Sequence, residues 1–105
     1  MNDRIDKLLA FLQQSPDDLF LNHALALEYI KAGRESEAQQ LFEKNLATNG
    51  EYVATYYHLG KLLERASQTT EAIALYEKGM QVARAVKDNH SYNELQAAYE
   101  DLADL

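Results

Sequence analysis

Residues 25–46 read LALEYIKAGRESEAQQLFEKNL, and residues 59–80 read LGKLLERASQTTEAIALYEKGM. Set one above the other, Leu25, Ala26, Tyr29, Gly33, Ala38, Phe42 and Leu46 stand over Leu59, Gly60, Leu63, Ser67, Ala72, Tyr76 and Met80. Small residues face small and large face large, in one register. Ala38 to Ala72 is 34 residues (72 − 38). A fixed period of this size marks a chain of stacked supersecondary units, each too small to bury its apolar face alone.

Working outward, the register reaches both ends. Subtracting the period from Phe42 and Leu46 lands on Leu8 and Leu12. Ile5, Leu8, Leu9 and Leu12 fall at i, i+3, i+4, i+7, the spacing of one apolar helical face. Residues from about Asn2 to Gln14 are therefore expected to be a helix, the second half of a truncated repeat. Ser15-Pro16-Asp17-Asp18 is a helix-start signal, with Ser15 as the N-cap, Pro16 in the first helical position and both Asp near the positive end of the helix dipole. That helix is expected to run to about Ala32 and stop at Gly33 in a left-handed cap. The next starts near Glu35–Ser36, carries Ala38, Leu41, Phe42 and Leu46 inward, and ends around Asn49-Gly50.

The second pair repeats the plan. Glu51 to about Ala66 is expected to form one helix, with Tyr52, Tyr56, Leu59, Leu62 and Leu63 as apolar candidates. Ser67-Gln68-Thr69 turns the chain. Thr70 opens a helix carrying Ala72, Ile73, Leu75, Tyr76, Met80 and Val82 as far as Val86. After the break at Lys87-Asp88-Asn89, a last helix from about His90 to Ala103 presents Tyr92, Leu95, Ala98, Tyr99 and Leu102. Tyr92–Leu95–Tyr99 matches Tyr56–Leu59–Leu63 at a spacing of 36 (92 − 56). The slip of two residues predicts a longer preceding helix or turn.

The expectation is a single all-α domain of about six antiparallel helices. Residues 1–15 form an N-terminal half repeat, 16–50 and 51–86 two full repeats, and 87–105 a capping helix. Lys7, Asp101 and Asp104 give the end helices a polar side. Ala26 and Gly60 are expected where the two helices of each pair cross, with Ala38 and Ala72 as reciprocal small residues. Tyr29, Leu63, Phe42 and Tyr76 fill the layers between.

Composition narrows the function classes. Ten Lys and Arg stand against seventeen Asp and Glu, for a formal charge of −7, and the cations are scattered singly among carboxylates. Phosphate backbones and anionic lipid call for clustered cations, so neither nucleic acid nor membrane is an expected partner. Cysteine is absent, which excludes a disulfide framework or thiolate site. The opening MNDRIDKLLAFLQQ is amphipathic and unlike a signal peptide, and no run approaches ~20 apolar residues. The cytoplasm is the expected compartment.

Chemistry-bearing constellations are missing as well. His23, His58 and His90 lie on three different expected helices, with no i, i+4 His pair and no HExxH. The four Gly are isolated, which argues against a phosphate-cradling loop, and the carboxylates have no apolar pocket to shift them. The expectation is a non-enzyme with no cofactor and no metal.

The Leu-Ala/Gly-x-x-Tyr/Leu, Gly/Ser and Ala-x-x-x-Phe/Tyr elements each occur twice, and together they resemble the tetratricopeptide repeat (TPR) family over essentially the whole chain. The family's Pro at the end of the second helix appears as Pro16, while Gly50 and Arg84 stand in its place in the full repeats. The resemblance implies a right-handed α-α superhelix, a TPR solenoid, whose concave groove binds peptides or helices of partner proteins.

By that resemblance the first helix of each pair lines the groove. The surface would include Phe20, His23, Leu27, Ile30 and Lys31, then Ala54, Tyr57, Lys61, Glu64 and Arg65, and finally His90, Asn93 and Ala97. Lys61 and Arg65 at i, i+4, one turn beyond Tyr57, could hold a carboxylate and an apolar side chain of a peptide. The alternative is that Lys61, Glu64 and Arg65 form a solvated, ion-paired face. Phe20 fits a groove anchor, Ile30 fits packing on the first helix, and Leu27 fits either. Where some family members grip chaperone tails with a Lys and an Asn, this chain has His23 and Leu27, so that carboxylate clamp is not carried over. A second function class is a homodimer or small homo-oligomer associating through end faces rich in Tyr, such as Tyr92 and Tyr99.

Overall fold

In the computed structural model, which describes residues 3–103, six helices form and no strand is present among the described residues. They are α1 (Asp3–Gln14), α2 (Leu19–Lys31), α3 (Glu35–Thr48), α4 (Ala54–Arg65), α5 (Thr69–Ala85) and α6 (Asn89–Ala103). Asn2, the expected start of α1, and Asp104 lie outside the described residues. The chain divides into two compact units, Met1–Asn49 and Gly50–Leu105.

Three helix ends close the same way. Past α2 the Gly33 N–H bonds the Ile30 carbonyl at 3.0 Å and the Arg34 N–H bonds that of Tyr29 at 2.8 Å. This is the paired hydrogen-bond pattern that ends a helix on a left-handed residue, and Gly33 takes φ 78° without a Cβ penalty. Past α4 the same pair runs from Ser67 to Glu64 and from Gln68 to Leu63, and past α5 from Lys87 to Arg84 and from Asp88 to Ala83. Ser67 and Lys87 adopt φ 62° and 63° although both carry a Cβ.

The first turn departs from the expected boundary. Ser15 still donates its N–H to Phe11 at 3.2 Å, and its carbonyl accepts from Asp18 at 3.1 Å, so residues 15–18 form a turn. The N-cap of α2 is Asp18, not Ser15, with its carboxylate accepting from the Leu21 N–H at 2.9 Å. Asn22 Nδ2 pins this turn by donating to the carbonyls of Pro16 at 3.0 Å and Asp18 at 2.9 Å. α4 likewise starts at Ala54, three residues later than expected, because residues 50–53 turn first. There the Tyr56 hydroxyl donates to the Gly50 carbonyl at 2.6 Å. Asn22 and Tyr56 are one period apart, as are Pro16 and Gly50, so two different side chains hold one carbonyl in successive repeats.

In the first unit α2 packs against both α1 and α3. Ile5, Leu8 and Leu12 of α1, Leu25, Ala26 and Tyr29 of α2, and Ala38 and Phe42 of α3 are buried. Leu9 is 41% exposed, so it sits at the rim of the apolar face it was expected to join. Glu28, buried on α2, receives Arg4 of α1 at 3.0 Å and Lys31 at 3.3 Å. Asn45 Nδ2 ties α3 to the Leu19 carbonyl at 2.9 Å.

In the second unit α5 packs on α4 and α6, and α4 also touches α6. Leu59, Gly60, Leu62 and Leu63 of α4, Ala72 and Tyr76 of α5, and Leu95 and Ala98 of α6 are buried. The two-residue slip is absorbed by helix: α5 has 17 residues against 14 in α3.

Candidate partner-binding faces

On α2, Phe20, Leu27 and Lys31 fall at i, i+7 and i+11, the spacing of one helical stripe. Phe20 is 66% exposed, Leu27 is half-buried and Lys31 is exposed and paired with Glu28. His23 belongs elsewhere. It is 8% exposed, and its ring packs on Phe42 of α3 at 5.3 Å between centroids. Its expected place on an open face is corrected: at i+3 from Phe20 the side chain turns toward α3, where an aromatic neighbour covers it. Ile30 is half-buried.

On α4, Tyr57 and Lys61 are half-buried and Arg65 is exposed. The Lys61 ammonium lies 5.6 Å from the Tyr57 ring centroid and 3.6 Å from the Glu64 carboxylate. Glu64 also accepts the Tyr76 hydroxyl from α5. Burial, reinforced by that carboxylate, pushes the Tyr76 phenol far above its ordinary range. Tyr57, Lys61 and Glu64 therefore share one polar and aromatic cluster, held from beneath by a core tyrosine.

On α6, His90 and Asn93 are exposed, as is Ala97. His58 lies between its neighbours: its ring meets Tyr57 edge-on at 5.4 Å, and burial holds its imidazole below the ordinary value despite the opposing pull of Glu94. Among the described residues no group of three or more His, Asp or Glu is placed to hold a metal ion, and no helix is long and apolar enough to cross a membrane.

Two contributors escaped the sequence reading. The Tyr76 hydroxyl reaches the Glu64 carboxylate, although Tyr76 was expected only to fill a layer. The signal was the comparison of repeats: one period earlier the same two positions are Ile30 and Phe42, so an acid and a hydroxyl replaced two apolar groups together. Gly79 is the other. A Cβ there would lie 2.7 Å from Tyr56 Cβ and 3.0 Å from Leu95 Cδ1, so α5 has no side chain where α4 and α6 press on it. Its counterpart one period earlier is Asn45.

No family model and no curated protein matches the sequence. Solved structures do match. The crystal structure of a tetratricopeptide repeat domain protein from Salinibacter ruber is 43% identical, with the alignment covering 84% of this chain and 98% of that one at a TM-score of 0.80. The chain belongs to the tetratricopeptide repeat family. A solution structure of a Salinibacter ruber TPR domain protein gives 43% identity, 87% and 92% coverage and a TM-score of 0.82. A solution structure of a protein from Bordetella parapertussis gives 25% identity, 98% and 90% coverage and a TM-score of 0.83. The all-helical architecture is thus that of a TPR α-α solenoid. TPR domains are general protein-interaction modules and typically non-catalytic.

Proposed function

We propose that this TPR protein is an adaptor that holds a peptide or helix of a partner protein on its first-helix faces, with the cytoplasm as the expected compartment. The observation that carries the reading is the α4 cluster. Lys61 is placed over Tyr57 and beside Glu64, and Arg65 follows one turn later. A cation resting on an aromatic face offers both an apolar contact and a charge to an incoming segment. Glu64 neutralises part of that charge, so a partner carboxylate competes with an internal one, which favours a segment that also fills the apolar surface of Tyr57. Phe20 supplies an exposed aromatic anchor on α2.

The test compares the wild type with a Phe20→Ala, Tyr57→Ala, Lys61→Glu variant as capture baits, the variant first shown to be folded by circular dichroism. A captured segment is then remade as a synthetic peptide and titrated into both proteins. Binding to the wild type that is lost in the variant supports the proposal. Equal binding to both excludes these faces as the site. If neither captures a partner, light scattering over a range of concentrations tests association of the chain with itself.

A further inference from the structure

The chain contains one Asn-Gly pair, Asn49-Gly50. It lies just past the last turn of α3. The Asn49 N–H still bonds the Asn45 carbonyl at 2.8 Å, but the residue itself is extended, at φ −152° and ψ 102°, and exposed. Gly50 is exposed too and opens the 50–53 turn. We infer that Asn49 is a site of spontaneous deamidation, a covalent modification built into this turn.

The chemistry needs a backbone nitrogen able to reach the side-chain amide carbon one residue before it. In a helix the backbone is fixed by its hydrogen-bond ladder and this approach is closed. Asn49 lies beyond the helix, so rotation about its ψ breaks no helical bond, and Gly50 brings no Cβ to crowd its own nitrogen. The deprotonated Gly50 nitrogen attacks Asn49 Cγ and forms a new N–C bond. The Cγ–Nδ2 bond then breaks, and Nδ2 leaves as ammonia with a proton from solvent, closing a five-membered succinimide. Water then adds to either ring carbonyl. Addition at Cγ opens the ring to Asp, and addition at the main-chain carbonyl carbon opens it to isoaspartate, whose main chain runs through the side chain. One water is consumed, one ammonia is released, and no oxidant is involved. Either product adds a negative charge to a chain already at −7.

The structure also says which asparagine should not react. Asn45 is 1% exposed, sits inside α3 before Leu46, and donates Nδ2 to the Leu19 carbonyl at 2.9 Å. The repeat gives a second contrast. One period earlier the same two positions are Ser15 and Pro16, a pair with neither a side-chain amide nor a backbone N–H to attack it. The reactive pair is therefore a property of the second turn alone.

The experiment incubates the full-length protein in mildly alkaline buffer and samples it over time. Trypsin releases the peptide Asn45–Lys61, which carries both asparagines, and fragment-ion mass spectrometry locates any conversion. The expected result is progressive conversion of Asn49 to a mixture of Asp and isoaspartate, faster at higher pH, with Asn45 intact. Gly50→Pro removes the attacking N–H and should abolish the conversion. Should that variant fail to fold, Gly50→Ile, which crowds the nitrogen, should slow it severely. Retention of the Asn49 amide for as long as that of Asn45 overturns the inference. So does conversion at Asn49 in Gly50→Pro at the wild-type rate.

Discussion

The ring of Tyr76 occupies the space that a side chain on Gly60 would need: a Cβ built on Gly60 would lie 2.2 Å from Tyr76 Cε1 and 2.8 Å from Cδ1. The ring is fully buried, so making room for that Cβ would require neighbouring core groups to shift with it. An Ala in an exposed helix would be preferred to Gly by about 1 kcal/mol, but here steric overlap opposes that preference. Gly60→Leu is expected to destabilise by about 3 kcal/mol, at the upper end of overpacking costs, and thermal denaturation should show a sharp drop in Tm. An unchanged melt would remove Gly60 from the helix crossing. Gly60→Ala is expected to cost less in a Tyr76→Leu background than in the wild type, because the smaller side chain vacates the overlap.

Tyr76 also carries a polar test. Tyr76→Phe deletes the hydrogen bond to Glu64 and is expected to cost about 1–2 kcal/mol in chemical denaturation. The pH dependence has a definite sign. The folded-state phenol titrates above its ordinary value of about 10, so the folded chain binds this proton more tightly than the unfolded one. Its contribution is fully present below pH ~10 and is lost as pH rises from there toward the folded value. Wild-type stability should therefore fall more steeply above pH ~10 than that of Tyr76→Phe. Parallel curves for the two proteins would contradict the assignment.

Much of this was legible in the sequence, and the reasons are local. The period placed Ala26, Gly60, Ala38 and Ala72 at the crossings, because interhelix distance depends on side-chain size and size is written in the residue. Gly33 was readable as a stop because its φ suits glycine. The N-cap at Asp18 was not readable: Ser15 is an equally good capping residue, and the choice rests on Asn22 and Lys44 reaching back to the Pro16 carbonyl. On the candidate faces, the exposure of Phe20 and the Tyr57–Lys61 pairing follow from helical spacing. His23 did not, because its burial depends on Phe42, nineteen residues away (42 − 23).

Ser67 and Lys87 hold left-handed backbone that a Cβ disfavours by about 1 kcal/mol or more. Ser67→Gly should raise stability by roughly 0.5–1 kcal/mol, the relief being partly offset by the greater freedom of Gly in the unfolded chain. Gly33→Ala, at φ 78°, should lower stability by about 1 kcal/mol. Urea denaturation of the three proteins would rank Ser67→Gly above wild type and Gly33→Ala below it. A reversed order would mean that these caps do not set the helix ends.

Gly50→Pro is expected to stabilise the fold as well as protect Asn49. Asn49 is extended, the conformation that a residue before Pro prefers, and Pro16 fills the equivalent place one period earlier. The expected gain is about 0.4–1 kcal/mol through a stiffer unfolded chain. A lower Tm in this variant would show that the two turns differ in backbone path.

The three helix ends that close on Tyr29, Leu63 and Ala83 each draw their hydrogen bonds from within six residues of chain. A segment one period long therefore carries its own stop signal wherever it is copied. Lengthening such a gene by duplicating one period would add a helix pair that already knows where to turn, with no compensating change elsewhere in the chain. The copies are then free to diverge, and the exchange of Ile30 and Phe42 for Glu64 and Tyr76 shows the kind of divergence such inheritance permits: a chemical novelty fitted inside an unchanged boundary.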